Sequence, residues 1–167
     1  DVYKRQNETA ACWIEILKRN KPAGILLSRQ NLPVMPLNAA GVSKGAYAVK
    51  AVANPKVSII ATGSEVSVAM KAAEKLEADG ISTQVVSAPC LEWFAEQDGA
   101  YRESLLPKSA IKVSIEAGIA QGWREYVGDN GVIISLDHFG ASAAAGKLFE
   151  EFGFGADAVV AKIKAAL

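Results

Sequence analysis

Only one histidine, His138, and two cysteines, Cys12 and Cys90, occur among 167 residues. The cysteines lie far apart in sequence and fit neither C-x-x-C nor a zinc-ligand spacing. That argues against a disulfide framework or a structural zinc, and for a reducing, cytoplasmic setting. Excess charge is also missing, since 18 Lys and Arg balance 18 Asp and Glu. Without a basic stripe nothing draws the chain toward nucleic acid or an anionic membrane, and neither is expected as a partner. No apolar stretch approaches the roughly 18 residues of a membrane span, and the first residues lack the charged-then-apolar profile of a signal peptide.

What is present is the make-up of a folded domain. Half of the residues are apolar, and a chain of this size buries about 68–70% of the surface its unfolded form exposes, enough for a core without metals or crosslinks. The opening, Asp1-Val2-Tyr3-Lys4-Arg5-Gln6, resembles the translation of a transposon-end adapter and is set aside as a sequencing artefact. No Met opens the chain, and a helix signal follows directly at Asn7, so the reading is of a chain cut upstream.

Asn7 with Glu8 in the first turn caps an amphipathic helix whose apolar residues, Ala10, Trp13, Ile14 and Leu17, recur at i, i+3, i+4, i+7. Lys21-Pro22 stops it. Ala23 to Leu27 then reads as a short buried strand that delivers Ser28, Arg29, Gln30 and Asn31 to its end. From Leu32 to Lys44 two prolines and Asn38-Ala39-Ala40-Gly41 break every periodicity, which marks a linker and a domain boundary. Ala46–Ala51 and Val57–Thr62 flank the turn signal Asn54-Pro55, predicting a hairpin and thereby one antiparallel strand.

Beyond it, elements alternate. Helix Glu65–Ala78 and strand Thr83–Ser87 make a βαβ unit with the preceding strand. Two short helices around Trp93 and Tyr101–Leu106, strand Ile111–Glu116, helix Ile119–Val127, and strand Val132–Leu136 follow. Helices Ser142–Phe152, with Ala145, Leu148, Phe149 and Phe152 inward, and Ala156–Leu167 complete the chain. Strands apolar on both faces and separated by helices predict a three-layer α/β fold: a mostly parallel sheet with one antiparallel strand and helices on both faces.

Chemistry-bearing candidates are few. Thr62-Gly63-Ser64-Glu65 lies where a strand turns into a helix whose free N–H groups suit an anion. Thr62 and Glu65 also have capping-box spacing, the preferred reading. Gly128-Asp129-Asn130-Gly131 is superficially similar to the start of a thiamine diphosphate motif, but no Asn-Asn follows and it reads as a turn. His138 is expected to be a surface or hydrogen-bonding residue, Cys90 a small buried hydrophobe, and Glu92, Glu96 and Asp98 a solvated face. Arg29, a guanidinium at a strand end flanked by Ser28 and Gln30, suits bidentate bonds to a phosphate or carboxylate, or a structural ion pair.

Ser28-Arg29-Gln30-Asn31-Leu32-Pro33 resembles the strand-end signature of transketolases. In order along the chain, Ile60 to Val66, Tyr101 to Pro107, Glu116 to Ile119, Phe139 to Ala143 and Phe152 to Phe154 also resemble that family's C-terminal region. The resemblance covers residues 7–167. It implies a homodimeric enzyme of the pentose phosphate pathway that moves a two-carbon ketol unit between sugar phosphates using thiamine diphosphate and a divalent metal such as Mg. On it, residues 7–36 are the tail of the pyrimidine-binding domain, 37–44 a linker and 45–167 the C-terminal domain. It implies that Arg29 binds the substrate phosphate and that this piece holds no catalytic, cofactor-binding or metal-ligating residue, leaving it inactive alone.

Two neighbouring readings remain. One is a related thiamine diphosphate enzyme, dihydroxyacetone synthase or a deoxyxylulose phosphate synthase, the latter less compatible with Ser28 to Pro33. The other is a non-catalytic α/β assembly subunit of a split thiamine diphosphate enzyme. In a fragment, residues 7–31, including Trp13 and Ile14, are expected to expose apolar surface and be sticky or disordered.

Overall fold

In the computed structural model, which describes residues 6–28 and 30–167, five strands form one sheet with helices on both faces. The strands are β1 (Tyr47–Lys50), β2 (Val57–Ala61), β3 (Thr83–Ser87), β4 (Ile111–Ile115) and β5 (Val132–Ile134), in the order β1-β3-β2-β4-β5. The run β3-β2-β4-β5 is parallel and β1 alone is antiparallel. This is the expected sheet with one correction. β1 pairs with β3, not with β2, so Asn54-Pro55 turns the chain without closing a hairpin. The parallel partner of β2 arrives instead through helix α3 (Glu65–Ala78), and β1 takes the outer edge beyond it.

Alternation along each strand explains the layers, because side chains one residue apart face opposite sides of a sheet. Ile59, Ala61, Val85, Val113, Ile115 and Ile134 point to one face, against Ala69, Ala73 and Leu76 of α3 and Val159 and Ile163 of helix α8 (Ala156–Lys164). Ile60 and Val86 point to the other, against Phe94, Leu105, Trp123 and Val127. Those four come from helices α4 (Leu91–Ala95), α5 (Gly99–Leu105) and α6 (Trp123–Val127). Buried polar residues of the strands reach helix-end carbonyls: Ser58 Oγ and Gln84 Nε2 donate to Leu105 O at 2.7 and 2.8 Å.

Several helix boundaries differ from expectation. α6 starts at Trp123 because Gly122, at φ 89°, turns the backbone left-handed, leaving Ile119 in an exposed loop. Helix α7 (Ala145–Glu151) starts three residues late, and Ala145 is exposed. Only its Phe149, with Phe152 just beyond its end, packs on the core, partly buried. Within the expected linker, Asn38 accepts from Gly41 N at 3.1 Å and caps helix α2 (Ala39–Val42), whose Val42 is fully buried.

The N-terminal segment keeps its predicted helix and, as expected of a fragment, exposes apolar residues, but its predicted strand does not form. Helix α1 (Gln6–Arg19) forms, and its Ala11 packs on Val42 and Tyr47. Its predicted apolar face turns outward, with Trp13, Ile14 and Leu17 exposed by 51%, 53% and 73%. Residues 22–28 form no strand, and Leu26 and Leu27 are exposed. A strand needs a neighbour for its N–H and C=O groups. Among the described residues none pairs with this stretch, so its apolar sequence alone does not make it one.

Candidate functional site

Four parallel strands deliver their carboxyl ends to one edge of the sheet. From β2 the chain turns into α3 on one face, and from β4 it leads to α6 on the other, so a crevice opens between the ends of these two strands. Open α/β sheets bind ligands at such switch points. Thr62 follows β2 and Glu116 follows β4. Thr62 Oγ1 donates to Glu116 Oε1 at 3.1 Å, and Trp123 Nε1 donates to Glu116 Oε2 at 2.8 Å.

The predicted capping box does not form. The Thr62 hydroxyl is committed to Glu116, the residue before α3 is a helical Ser64 without a side-chain cap, and the backbone bond Glu65 N to Thr62 O closes the turn. The Glu65 N–H that a cap would bind is taken by the Thr62 carbonyl, and the hydroxyl donates across the crevice instead. Glu65 is 6% exposed and accepts from Ser64 Oγ at 3.1 Å. Burial pushes its carboxyl above the usual carboxylate range, against the backbone N–H and Ser64 bonds that stabilise the anion, and the nearby Glu116 charge pushes the same way as burial.

α1 and residues 22–28 line one side of a half-open cleft of about 830 Å³ at the ends of β2, β3 and β4. Glu8, Glu65, Glu92 and Glu116 line it, and no Lys, Arg or His does so among the described residues. Glu8 is 7% exposed, and its Oε1 accepts from Tyr47 Oη at 2.9 Å and from Ser87 Oγ at 2.7 Å. In the sequence it passes for a helix N-terminal acid. Its partners lie 39 and 79 residues away, and no local spacing announces them.

Arg29 lies outside the described residues, as do residues 1–5; Ser28 beside it lines the cleft. Cys90 is half-buried rather than fully buried, and its thiol donates to Glu92 Oε2 at 3.4 Å. Burial first, then the Glu92 hydrogen bond and charge, push that thiol up, away from the thiolate a nucleophile needs. His138 is exposed, contacts the Phe139 carbonyl at 2.8 Å and meets Phe152 edge-on. The acidic run has structural partners: Glu96 pairs with Arg19 at 2.9 Å and Asp98 caps α5. Gly128 to Gly131 is a turn after α6.

No group of three or more His, Cys, Asp or Glu side chains is arranged to hold a metal among the described residues.

These features define a doubly wound α/β domain whose strand-end crevice is flanked by its own N-terminal segment. Residues 45–155 match the transketolase-like C-terminal domain, and the chain belongs to the transketolase family. It is 47% identical to transketolase 1 of Escherichia coli K12 over 165 residues, which cover 95% of this chain and 25% of that protein. Transketolase from Leishmania mexicana superposes with a TM-score of 0.90 at 37% identity, covering 96% of this chain and 24% of that one. A Pichia stipitis transketolase in complex with sedoheptulose-7-phosphate gives a TM-score of 0.88 at 33% identity, with the same coverage. The chain thus spans about a quarter of the length of the curated relatives it matches. No helix among the described residues is long and apolar enough to cross a membrane.

Proposed function

We propose that this chain supplies the C-terminal quarter of a transketolase, which transfers a two-carbon ketol unit from a ketose phosphate to an aldose phosphate, and that it is inactive alone. Thiamine diphosphate and a divalent metal belong, on this reading, to the part of the enzyme this chain does not contain. Residues 7–36 finish the pyrimidine-binding domain and 45–167 form the C-terminal domain of a homodimer. The observation that carries the reading is the 47% identity to the Escherichia coli enzyme, confined to a quarter of that protein's length. Arg29 is assigned the substrate phosphate.

The test is a graft. Residues 7–167 replace the corresponding stretch of the Escherichia coli enzyme, and two-carbon transfer is measured with phosphorylated and non-phosphorylated donors. Transfer by the graft and loss of phosphate preference on Arg29→Ala support the reading. An inactive graft that folds and binds cofactor, or an unchanged preference in Arg29→Ala, contradicts it.

A further inference from the structure

We infer that the outward face of α1 and residues 23–27 form one docking surface for the preceding part of a transketolase chain, to whose sheet residues 23–27 add as a strand; this rests on the reading of the chain as that enzyme's C-terminal quarter. The uncovered apolar surface is concentrated at one end of the sequence. Before residue 45, Trp13, Ile14, Leu17, Leu26, Leu27 and Val34 are each more than half exposed, whereas from there on only Ile119, Phe139 and Leu167 are so among the described residues. Residue 45 is also where the matched domain begins. That domain has closed a core of its own, with Val57, Ile59, Ile60, Val85, Val113 and Ile115 fully buried. The apolar face outside it therefore belongs to a different core.

The face is held in place by contacts that leave it open. Near the start of α1, Glu8 Oε1 accepts from Tyr47 and Ser87. At its end Arg19 pairs with Glu96 and lies 4.2 Å over the Trp93 ring. Both anchors use the inward side of the helix, so the stripe Ala10, Trp13, Ile14 and Leu17 looks outward. Residues 23–27 complete the surface. They have a strand's composition, and among the described residues nothing hydrogen-bonds to their backbone. Such a row of free N–H and C=O groups is a template for pairing with a sheet edge.

The relatives indicate what covers it. Transketolase 1 of Escherichia coli matches 95% of this chain with 25% of its own length, so one polypeptide there carries both the counterpart of this face and a further three quarters of the protein. A tethered partner acts at about millimolar effective concentration, which favours it over a second copy of the chain.

Proline tests the added strand without disturbing the isolated chain. Neighbouring strand residues aim their N–H groups to opposite sides, so either Leu26→Pro or Leu27→Pro removes a donor from the pairing, whichever edge is used. Both residues are exposed, and in the 167-residue chain each substitution should leave the thermal midpoint within about 2 °C. In the active graft, amide exchange of residues 23–27 should be about 100-fold slower than in the isolated chain, and hydroxyl-radical labelling of Trp13 and Leu17 should fall sharply. At least one of the two prolines should abolish that protection and lower transfer by about tenfold. A graft that transfers ketol units, exchanges residues 23–27 as fast as the isolated chain and tolerates both prolines overturns the inference and leaves the reading beneath it intact. Equal protection of residues 23–27 and Trp13 in the concentrated isolated chain also overturns it, because a second copy is then the occupant. A folded graft without transfer overturns the reading of the chain as a transketolase C-terminal quarter.

Discussion

Thr62 and Glu116 join the carboxyl ends of β2 and β4 through one hydrogen bond, Oγ1 to Oε1 at 3.1 Å. Glu116 holds Trp123 by its other oxygen at 2.8 Å, so a single carboxylate ties two strands and the first residue of α6 together. Removing it strands two donors at a partly buried site. Glu116→Ala should cost about 1–3 kcal/mol, because an unpaired buried donor retains its desolvation penalty. Glu116→Gln, which keeps one acceptor oxygen, should cost less. Urea unfolding of the three proteins checks the order; equal stability of parent and Glu116→Ala would count against the tie.

Glu65 gives the fold a pH dependence whose sign follows from its environment. Its carboxyl is pushed above its ordinary value of 4.5 mainly by burial. Below 4.5 it is protonated folded and unfolded alike, and its full contribution to stability is present. As pH rises from there through the raised folded value, the unfolded chain gives up the proton first, so stability falls across that window and then levels off. Glu65→Gln carries no such proton. Its stability relative to parent should improve as pH is raised through the window, as read from denaturant midpoints; parallel curves would mean that the carboxyl is not perturbed.

The outward face of α1 predicts association. Trp13, Ile14 and Leu17 are each more than half exposed, an apolar patch of the kind that promotes contact between molecules. Trp13→Ser with Leu17→Gln should lower the apparent mass at high concentration in light scattering while leaving the thermal midpoint within about 2 °C, since exposed substitutions rarely change stability by more than about 0.5 kcal/mol. A strictly monomeric parent would contradict this.

The elements most legible in sequence were those whose order depends on local pattern alone. Helix Glu65–Ala78 and strand Thr83–Ser87 emerge with the boundaries their periodicity predicts, because apolar faces at a 3.6 period and an unbroken apolar run leave little choice. The sheet was legible in class, but the seat of β1 was not: antiparallel pairing with β2 or with β3 satisfies the same alternation. At the site, Thr62 and Glu65 were singled out for a cap, but the Glu65 N–H bonds the Thr62 carbonyl, and the Thr62 hydroxyl donates to Glu116, 54 residues on. Glu8 and Glu116 were missed as site residues for the same reason, since each meets its partners only once the sheet has formed. The apolar stretch from Ala23 to Leu27 carries a strand's composition without a strand's neighbour.

We propose that this chain is a catalytically incomplete part of a transketolase. The most direct test is an assay of two-carbon transfer from a ketose phosphate to an aldose phosphate by the purified chain, with thiamine diphosphate and magnesium supplied, alongside calorimetric titration of the cofactor. No turnover and no cofactor binding are expected. Turnover would contradict the proposal, because the cofactor would then have to sit among residues such as Glu65 and Glu116 that hold the strand ends together.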